Sequence, residues 1–300
     1  MLRAHVVSFA ALLLGALAPV AAHGQSTHNA RMSTSSTSAK PTRSGFAPVN
    51  GLQLYYEVYG NQTGVPLVLL HGGGSTIGTN FGRVIPFLND HRQVIAVEFQ
   101  AHGHTRDVDR PFTFEQDADD VAALLDSLGV PEADVFGFSN GGTTALQVAI
   151  RHPAKVNRLV VASSNYRRDG MIDGFWDAMQ KGTFDDMPQP YKDAYLKINP
   201  SQAGVHALFE RDSKRMLAFK DIPDESIRAI AAPALVVDGD RDVVRVEHAL
   251  ALSKLLPRAR LAVLPSTHGE YLGEIMTPNV SERRVRAFAD LVAEFLDGRE

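Results

Sequence analysis

Ser139 lies in Gly137-Phe138-Ser139-Asn140-Gly141-Gly142, a serine with glycines two residues away on either side. Residues 133–138 (ADVFGF) read as a buried strand and residues 141–150 (GGTTALQVAI) as a helix, the context that a G-x-S-x-G turn requires. The glycines let the chain turn sharply, and a strained serine backbone there presents its hydroxyl above a sheet and at a helix N-terminus. Such a hydroxyl is a candidate nucleophile for acyl chemistry, but only beside a base, because a serine is too weakly nucleophilic near neutrality.

Of eleven histidines, His268 is the best placed base. It follows the last strand-like run in Leu264-Pro265-Ser266-Thr267-His268-Gly269-Glu270. His102 and His104 follow another strand end, but they precede Ser139, against the order Ser, acid, His that usually accompanies this turn. An acid must orient the imidazole, and Asp238-Gly239-Asp240-Arg241-Asp242 closes the strand-like run ALVVD. Asp242 is the preferred acid, Asp240 the rival, and Asp238 is less suitable because it ends the strand itself. Glycines of His71-Gly72-Gly73-Gly74, after the run PLVLL, allow close backbone approach to a tetrahedral intermediate. The N–H groups of Gly73 and Asn140 are the expected oxyanion donors.

Three strand ends must therefore meet at one edge. Unbroken apolar runs at 66–70, 94–99, 133–138, 158–163, 234–238 and 260–264 suit strands covered on both faces, as in a parallel sheet. Residues 52–58 (LQLYYEV) give a further strand. Helical stripes at 114–128, 141–150, 246–256 and 281–296 alternate with these runs. The pattern predicts an α/β fold: a doubly wound, mostly parallel central sheet with helices on both faces. Residues 165–231 break it. They hold no buried strand but carry Phe175, Trp176, Met179, Phe184, Met187, Tyr191, Phe209, Met216 and Phe219. An inserted helical lid over a pocket is expected there, with Gly72 and Trp176 as pocket residues. The organisation predicted is a core of 45–164 and 232–300 with a cap of 165–231.

Composition excludes other chemistries. The 300 residues hold 30 Lys and Arg against 34 Asp and Glu, a formal net charge of -4, and nothing in that balance favours nucleic acid. Cysteine is absent, so there is no structural disulfide, thiolate metal site or cysteine nucleophile. The DGDRD cluster lacks the later glycine and glutamate of a calcium loop, and the glycine-rich loop lacks the lysine of a phosphate loop. Neither a metal nor a cofactor is called for. Residues 1–24 combine Arg3, an apolar run from Val6 to Leu17 and the small pair Ala21-Ala22. They read as a signal peptide, too short to span a bilayer, implying a secreted or periplasmic protein with no stable membrane insertion once it is removed. Residues 25–44 read as a flexible tether. Helix faces that pack a lid and those that pack a second copy look alike, so no oligomeric state is assigned.

The segments LVLLHGGG, AHGHT, DVFGFSNGGTTALQVAIRHPAKVNRLVVAS, ALVVDGDRDVV and LPSTHGEYL together resemble the α/β-hydrolase fold superfamily, in its lidded branch of small serine hydrolases. The resemblance covers about residues 46–296. It aligns Ser139 with the family's nucleophile, Asp242 with its acid and His268 with its base, and it places the two oxyanion donors on Gly73 and Asn140. Serine at the turn argues against the dehalogenase and epoxide-hydrolase branches. Asn140 stands where many relatives carry an apolar residue, and Glu98 where an aspartate is common. The expectation is a serine hydrolase acting on a small, partly apolar ester or lactone, the cap's aromatic and methionine content favouring an apolar portion. Cofactor-free perhydrolysis and carbon–carbon bond hydrolysis use the same triad and are the alternatives. A ligand-binding protein without catalysis is the alternative of another class.

Overall fold

A strand covered on both faces can be apolar along its whole length, and in the computed structural model LVLL, VIAVE and ADVFGF are buried at every position. The structure describes residues 39–90 and 92–298, so the expected signal peptide and most of the expected tether lie outside the described residues. One sheet is formed by β1 (Arg43–Val49), β2 (Leu52–Tyr59), β3 (Leu67–Leu70), β4 (Val94–Glu98), β5 (Ala133–Phe138), β6 (Val156–Ala162), β7 (Ala234–Gly239) and β8 (Ala259–Leu264). Its order is β1-β2-β4-β3-β5-β6-β7-β8. The pairs β1/β2 and β2/β4 are antiparallel and the rest parallel, so the sheet is mostly parallel, with the reversed strands at one side.

The helices among the described residues are α1 (Ile77–Phe81), α2 (Ile85–Leu88), α3 (Phe114–Ser127), α4 (Asn140–Arg151), α5 (Phe175–Lys181), α6 (Gln189–Ile198), α7 (Gln202–Leu217), α8 (Asp224–Arg228), α9 (Val246–Leu255) and α10 (Glu282–Leu296). One face of the sheet buries Val121, Leu124 and Leu125 of α3, Leu146 and Val148 of α4 and Leu252 of α9. The other buries Phe81 of α1, Ile85 of α2 and Val285, Phe288 and Val292 of α10. Phe136 of β5 meets the rings of Phe81 and Phe288 edge-on at 5.6 and 5.9 Å, which locks α1 and α10 to the middle of the sheet. The doubly wound α/β expectation therefore holds.

Sequence reading did not find β1, which begins at Arg43, inside the stretch expected to be tether. Its run RSGFAPV has no clean alternation, and its order comes from pairing with β2 across a tight turn at Asn50-Gly51, both with positive φ (46° and 81°). Pro48 is tolerated because β1 is an edge strand. Between β6 and β7 lie α5 to α8. In this segment Met171, Phe175, Met216 and Phe219 pack with Phe114 of α3 and with Val243 and Val244 after β7, Met187, Tyr191, Tyr195 and Leu208 pack with one another, and Ile227 of α8 joins the core on one face of the sheet.

Candidate active site

The β5–α4 turn is the point of closest backbone approach. A Cβ on Gly137 would lie 2.1 Å from the Gly141 carbonyl oxygen, and one on Gly141 would lie 2.0 Å from that of Leu70, so neither position admits a side chain. Ser139 sits between them at φ 54°, ψ -124°, a conformation that costs a non-glycine residue energy and that the surrounding structure must impose. Its N–H donates to the Ala162 carbonyl of β6 at 2.9 Å, tying the strained residue to the neighbouring strand.

Three loops then converge. His268 Nε2 lies 3.2 Å from Ser139 Oγ, and His268 Nδ1 lies 2.7 Å from Asp242 Oδ1. With its Nδ1 proton directed at a carboxylate, the ring turns its other nitrogen to the serine, the tautomer a general base needs. Asp242 is further held by the Val244 N–H at 3.2 Å and by Ser163 Oγ, which donates to Oδ2 at 2.5 Å. Ser163 Oγ accepts in turn from Tyr271 OH at 2.6 Å. Neither Ser163 nor Tyr271 was singled out from sequence. Ser163 directly follows β6, the strand beside β5, and has a positive φ of 49°, and its position just past a strand end was the one available signal.

The two rivals for the acid have other partners. Asp240 is exposed and accepts from the Ser266 N–H at 2.8 Å, pinning the β7 and β8 loops together. Asp238 is fully buried, and burial together with the neighbouring Asp242 charge pushes its carboxyl up to about 9. It is therefore a neutral acid beside an ionised one. Asp242 itself is held below the usual carboxylate range: burial opposes ionisation, but His268, Ser163 and the Val244 amide outweigh it. Burial alone would lower the His268 pKa, yet the Asp242 carboxylate more than offsets this and raises it.

Of the residues expected in the oxyanion hole, Gly73 and Asn140 both line the same cavity as Ser139 and His268, and no acceptor takes either N–H among the described residues. A Cβ on Gly73 would lie 2.6 Å from Asn140 Nδ2, so the glycine backbone packs directly against the Asn140 side chain. Gly72, expected in the pocket, does not line the cavity: its N–H donates to Asn80 Oδ1 at 2.6 Å, and a Cβ there would come within 3.0 Å of Ser139 Cβ, so it packs against the turn instead. Trp176, expected in the pocket, lies outside the cavity. Its neighbour Phe175 lines the cavity instead, while Trp176 stacks parallel to Phe219, lies under the Arg168 guanidinium at 3.7 Å and donates to the Arg168 carbonyl at 2.7 Å. Adjacent helical residues point about 100° apart, so only one of the pair faces inward. His104 pairs with Glu98 at 2.8 Å and His102 with Asp212 at 2.9 Å, so neither histidine is engaged with Ser139.

The cavity measures about 850 Å³ including its mouth and is roofed by α5, α6 and α7. Four methionines, Met171, Met179, Met187 and Met216, line it with Phe175, Phe209, Val243 and Val244. Its polar wall is Asn140, Asn165, Asp212 and Ser213, and no lysine or arginine lines it among the described residues. No group of three or more histidine and acidic residues able to hold a metal occurs among the described residues.

A family model described as the alpha/beta hydrolase fold matches residues 65–194. The serine hydrolase BPHL of Homo sapiens is 30% identical over 274 residues, which span 85% of this chain and 87% of that protein. The 2-hydroxymuconate semialdehyde hydrolase of Pseudomonas sp. (strain CF600) is 29% identical over 255 residues, 78% of this chain and 87% of that protein. Among solved structures, the meta-cleavage product hydrolase CumD of Pseudomonas fluorescens IP01 matches with a TM-score of 0.67 at 23% identity, over 87% of this chain and 99% of that one.

Two pH effects follow from this geometry. If His268 acts as the base it must be neutral, and its pKa is raised, so kcat/KM should fall on acidification with a midpoint above the ordinary imidazole value of about 6.5. A midpoint below that value in a pH–rate profile would contradict the pairing with Asp242. Asp238 keeps its proton in the folded chain up to about 9, whereas the unfolded group loses it near about 3.9. The native state thus binds the extra proton between those values, and its stability should fall as pH rises through them. Asp238→Asn removes that dependence. The variant should melt higher than the parent at pH 8, with the advantage shrinking toward pH 4, and an equal or lower melting temperature at pH 8 would show that Asp238 is not held neutral.

Proposed function

The chain belongs to the alpha/beta hydrolase fold family and is a hydrolase, and from that premise we propose an exported serine hydrolase that cleaves a small, partly apolar, uncharged carboxylic ester or lactone. The observation that carries this reading is the unbroken hydrogen-bonded series from Asp242 through His268 to Ser139, facing an apolar cavity. In the proposed mechanism His268 Nε2 takes the proton from Ser139 Oγ as that oxygen bonds to the acyl carbon. The Gly73 and Asn140 N–H groups stabilise the negative charge that develops on the carbonyl oxygen. His268 then gives its proton to the departing oxygen, which leaves as an alcohol or, from a lactone, as a tethered hydroxyl. Water, deprotonated by the same nitrogen, attacks the acyl-enzyme, and His268 returns that proton to Ser139 Oγ as the acyl–oxygen bond breaks and the carboxylic acid leaves.

Three alternatives are less well supported. Perhydrolysis would generate a peracid against four methionine thioethers, which such an oxidant converts to sulfoxides. Carbon–carbon cleavage is the kind of reaction in which a relative acts on 2-hydroxymuconate semialdehyde, a carboxylate by name. Burying an anion without a partner costs several kcal/mol, and no cation lines this cavity among the described residues. A purely binding role would have no use for an aligned base and acid.

Export is proposed on residues 1–24, with their charged start, apolar run and small-residue pair, and the mature protein is placed in the medium or a periplasm. Intact-mass measurement of the exported protein should show a chain beginning between about residues 22 and 25, and a full-length mass would refute cleavage. The activity is tested with a fluorophosphonate probe and a panel of p-nitrophenyl esters and lactones. The wild-type protein should be labelled at Ser139 and should hydrolyse uncharged short or medium acyl esters, while Ser139→Ala should stay folded and lose both. Absence of labelling, or near-native turnover by the alanine variant, would refute the nucleophile.

A further inference from the structure

We propose that Asp212, on α7 of the helical segment between β6 and β7, is a positioning residue that sets the oxyanion-hole amide of Gly73, so that seating this segment and assembling the hole are one event. The inference rests on the reading of Ser139 and Gly73 given above.

The loop 71–74 has three consecutive glycine amides. The Gly72 N–H donates to Asn80 Oδ1 at 2.6 Å, and the Gly74 N–H donates to Asp212 Oδ2 at 2.6 Å. The amide between them, that of Gly73, is left facing the cavity without an acceptor among the described residues. Two side chains thus fix the peptide planes on either side of the one donor that must point at an oxyanion. Asn80 belongs to α1 and the core, whereas Asp212 reaches in from the segment above, 138 residues later in the chain. Its carboxylate also packs against Gly73 itself, since a Cβ there would lie 3.3 Å from Asp212 Oδ2. Gly74 sits at φ +68°, so the loop has little intrinsic preference for this shape and depends on its partners to keep it.

The carboxylate is built to stay charged. Oδ2 also accepts from His102 Nε2 at 2.9 Å, and Oδ1 from Arg215 at 2.5 Å. His102 Nδ1 faces the Gln100 carbonyl at 2.8 Å, so both ring nitrogens meet acceptors and both must carry protons. The adjacent His71, 4.8 Å away ring to ring, accepts from the Phe99 N–H and is the neutral partner. Arg215 is shared with Asp117 of α3 at 2.5 Å and is sandwiched by Phe112 and Phe114. Two cations and two carboxylates balance, and the balanced cluster joins α3, the loop after β4, α7 and the oxyanion loop. A neutral acceptor would have satisfied Gly74. A charged one makes the bond stronger and ties it to elements that cannot move independently.

The test compares wild type, Asp212→Asn and Asp212→Glu, using p-nitrophenyl butyrate turnover and the rate of fluorophosphonate labelling at Ser139. Both variants should lose about 10- to 100-fold in kcat while KM stays within about threefold, as when one oxyanion donor is misplaced. The labelling rate should fall by the same factor, because phosphonylation also develops charge on an oxygen in the hole. The midpoint of the acid limb should not move, because His268 and Asp242 are untouched. Asp212→Glu is the decisive variant, since it keeps the charge balance and displaces only the acceptor, and it serves alone if Asp212→Asn does not fold. Turnover within twofold of wild type in a folded Asp212→Glu protein, or a rise in KM with kcat unchanged, would overturn the proposal. Failure of the wild-type protein to label would instead remove the serine-hydrolase reading, and this inference with it.

Discussion

The site depends on keeping one carboxylate ionised out of water. Asp242 is almost entirely buried, and an isolated charge there would neutralise itself by taking up a proton. Four arrangements prevent this: the His268 ring at 2.7 Å, the Ser163 hydroxyl at 2.5 Å, the Val244 amide at 3.2 Å, and a neighbour, Asp238, that holds the proton in its place. The last is the least obvious. Two carboxylates this close cannot both ionise cheaply, so the pair divides into a neutral acid and a charged one. Which is charged is decided by which has donors: Asp242 has three, whereas Asp238 has an amide from Gly239 and a second oxygen with no ordinary donor. That otherwise orphaned buried oxygen is where the retained proton belongs.

Sheet topology turns this local chemistry into a site. The parallel strands β3, β5, β6, β7 and β8 all end at one edge, so the loops after β3, β5, β7 and β8 deliver the glycine amides, Ser139, Asp242 and His268 to a common point without any of them being near in sequence. The helical segment closes over that edge through polar ties as well as apolar packing. Asp212 bonds Gly74, and Tyr191 of α6 donates to Glu274 at 2.6 Å. The first tie is part-buried and the second buried, and they meet the core at the glycine loop and in the segment following His268.

Legibility from sequence followed the range of the interaction. The turn at Ser139 is local, because its glycines, strand and helix are contiguous, and the residues at 137, 139 and 141 could be read directly. The glycine loop at 72–74 was legible for the same reason. Sequence favours Asp242 over Asp240 without settling the choice, since two residues of one turn offer the same side chain close to the same strand end. Cross-strand register decides it: Asp240 N–H bonds the Leu264 carbonyl and Arg241 N–H that of Ser266, which turns Asp240 toward the β8 loop and leaves Asp242 to His268. Trp176 was misplaced because richness in aromatics marks a helix as packed without saying which of two adjacent residues faces inward. His102 looked like a spare base at a strand end, and only its partner, 110 residues away, reveals it as a buried cation.

A wall of methionine, phenylalanine and valine imposes no fixed polar pattern on a ligand, and thioether side chains adapt to different shapes at little cost. Orientation must then come from the reacting end: the two open amides at Gly73 and Asn140, the serine oxygen and the imidazole. For the ester or lactone proposed above, an apolar acyl portion would lie in several poses, but its carbonyl would meet both amides and Ser139 in one. In the proposed function, selectivity of that kind would be for the functional group and against charge, with broad tolerance of acyl shape. That tolerance is compatible with efficient chemistry only if the polar end is rigid, and the buried ion cluster behind Gly74 and the shared proton behind Asp242 are where the structure places that rigidity.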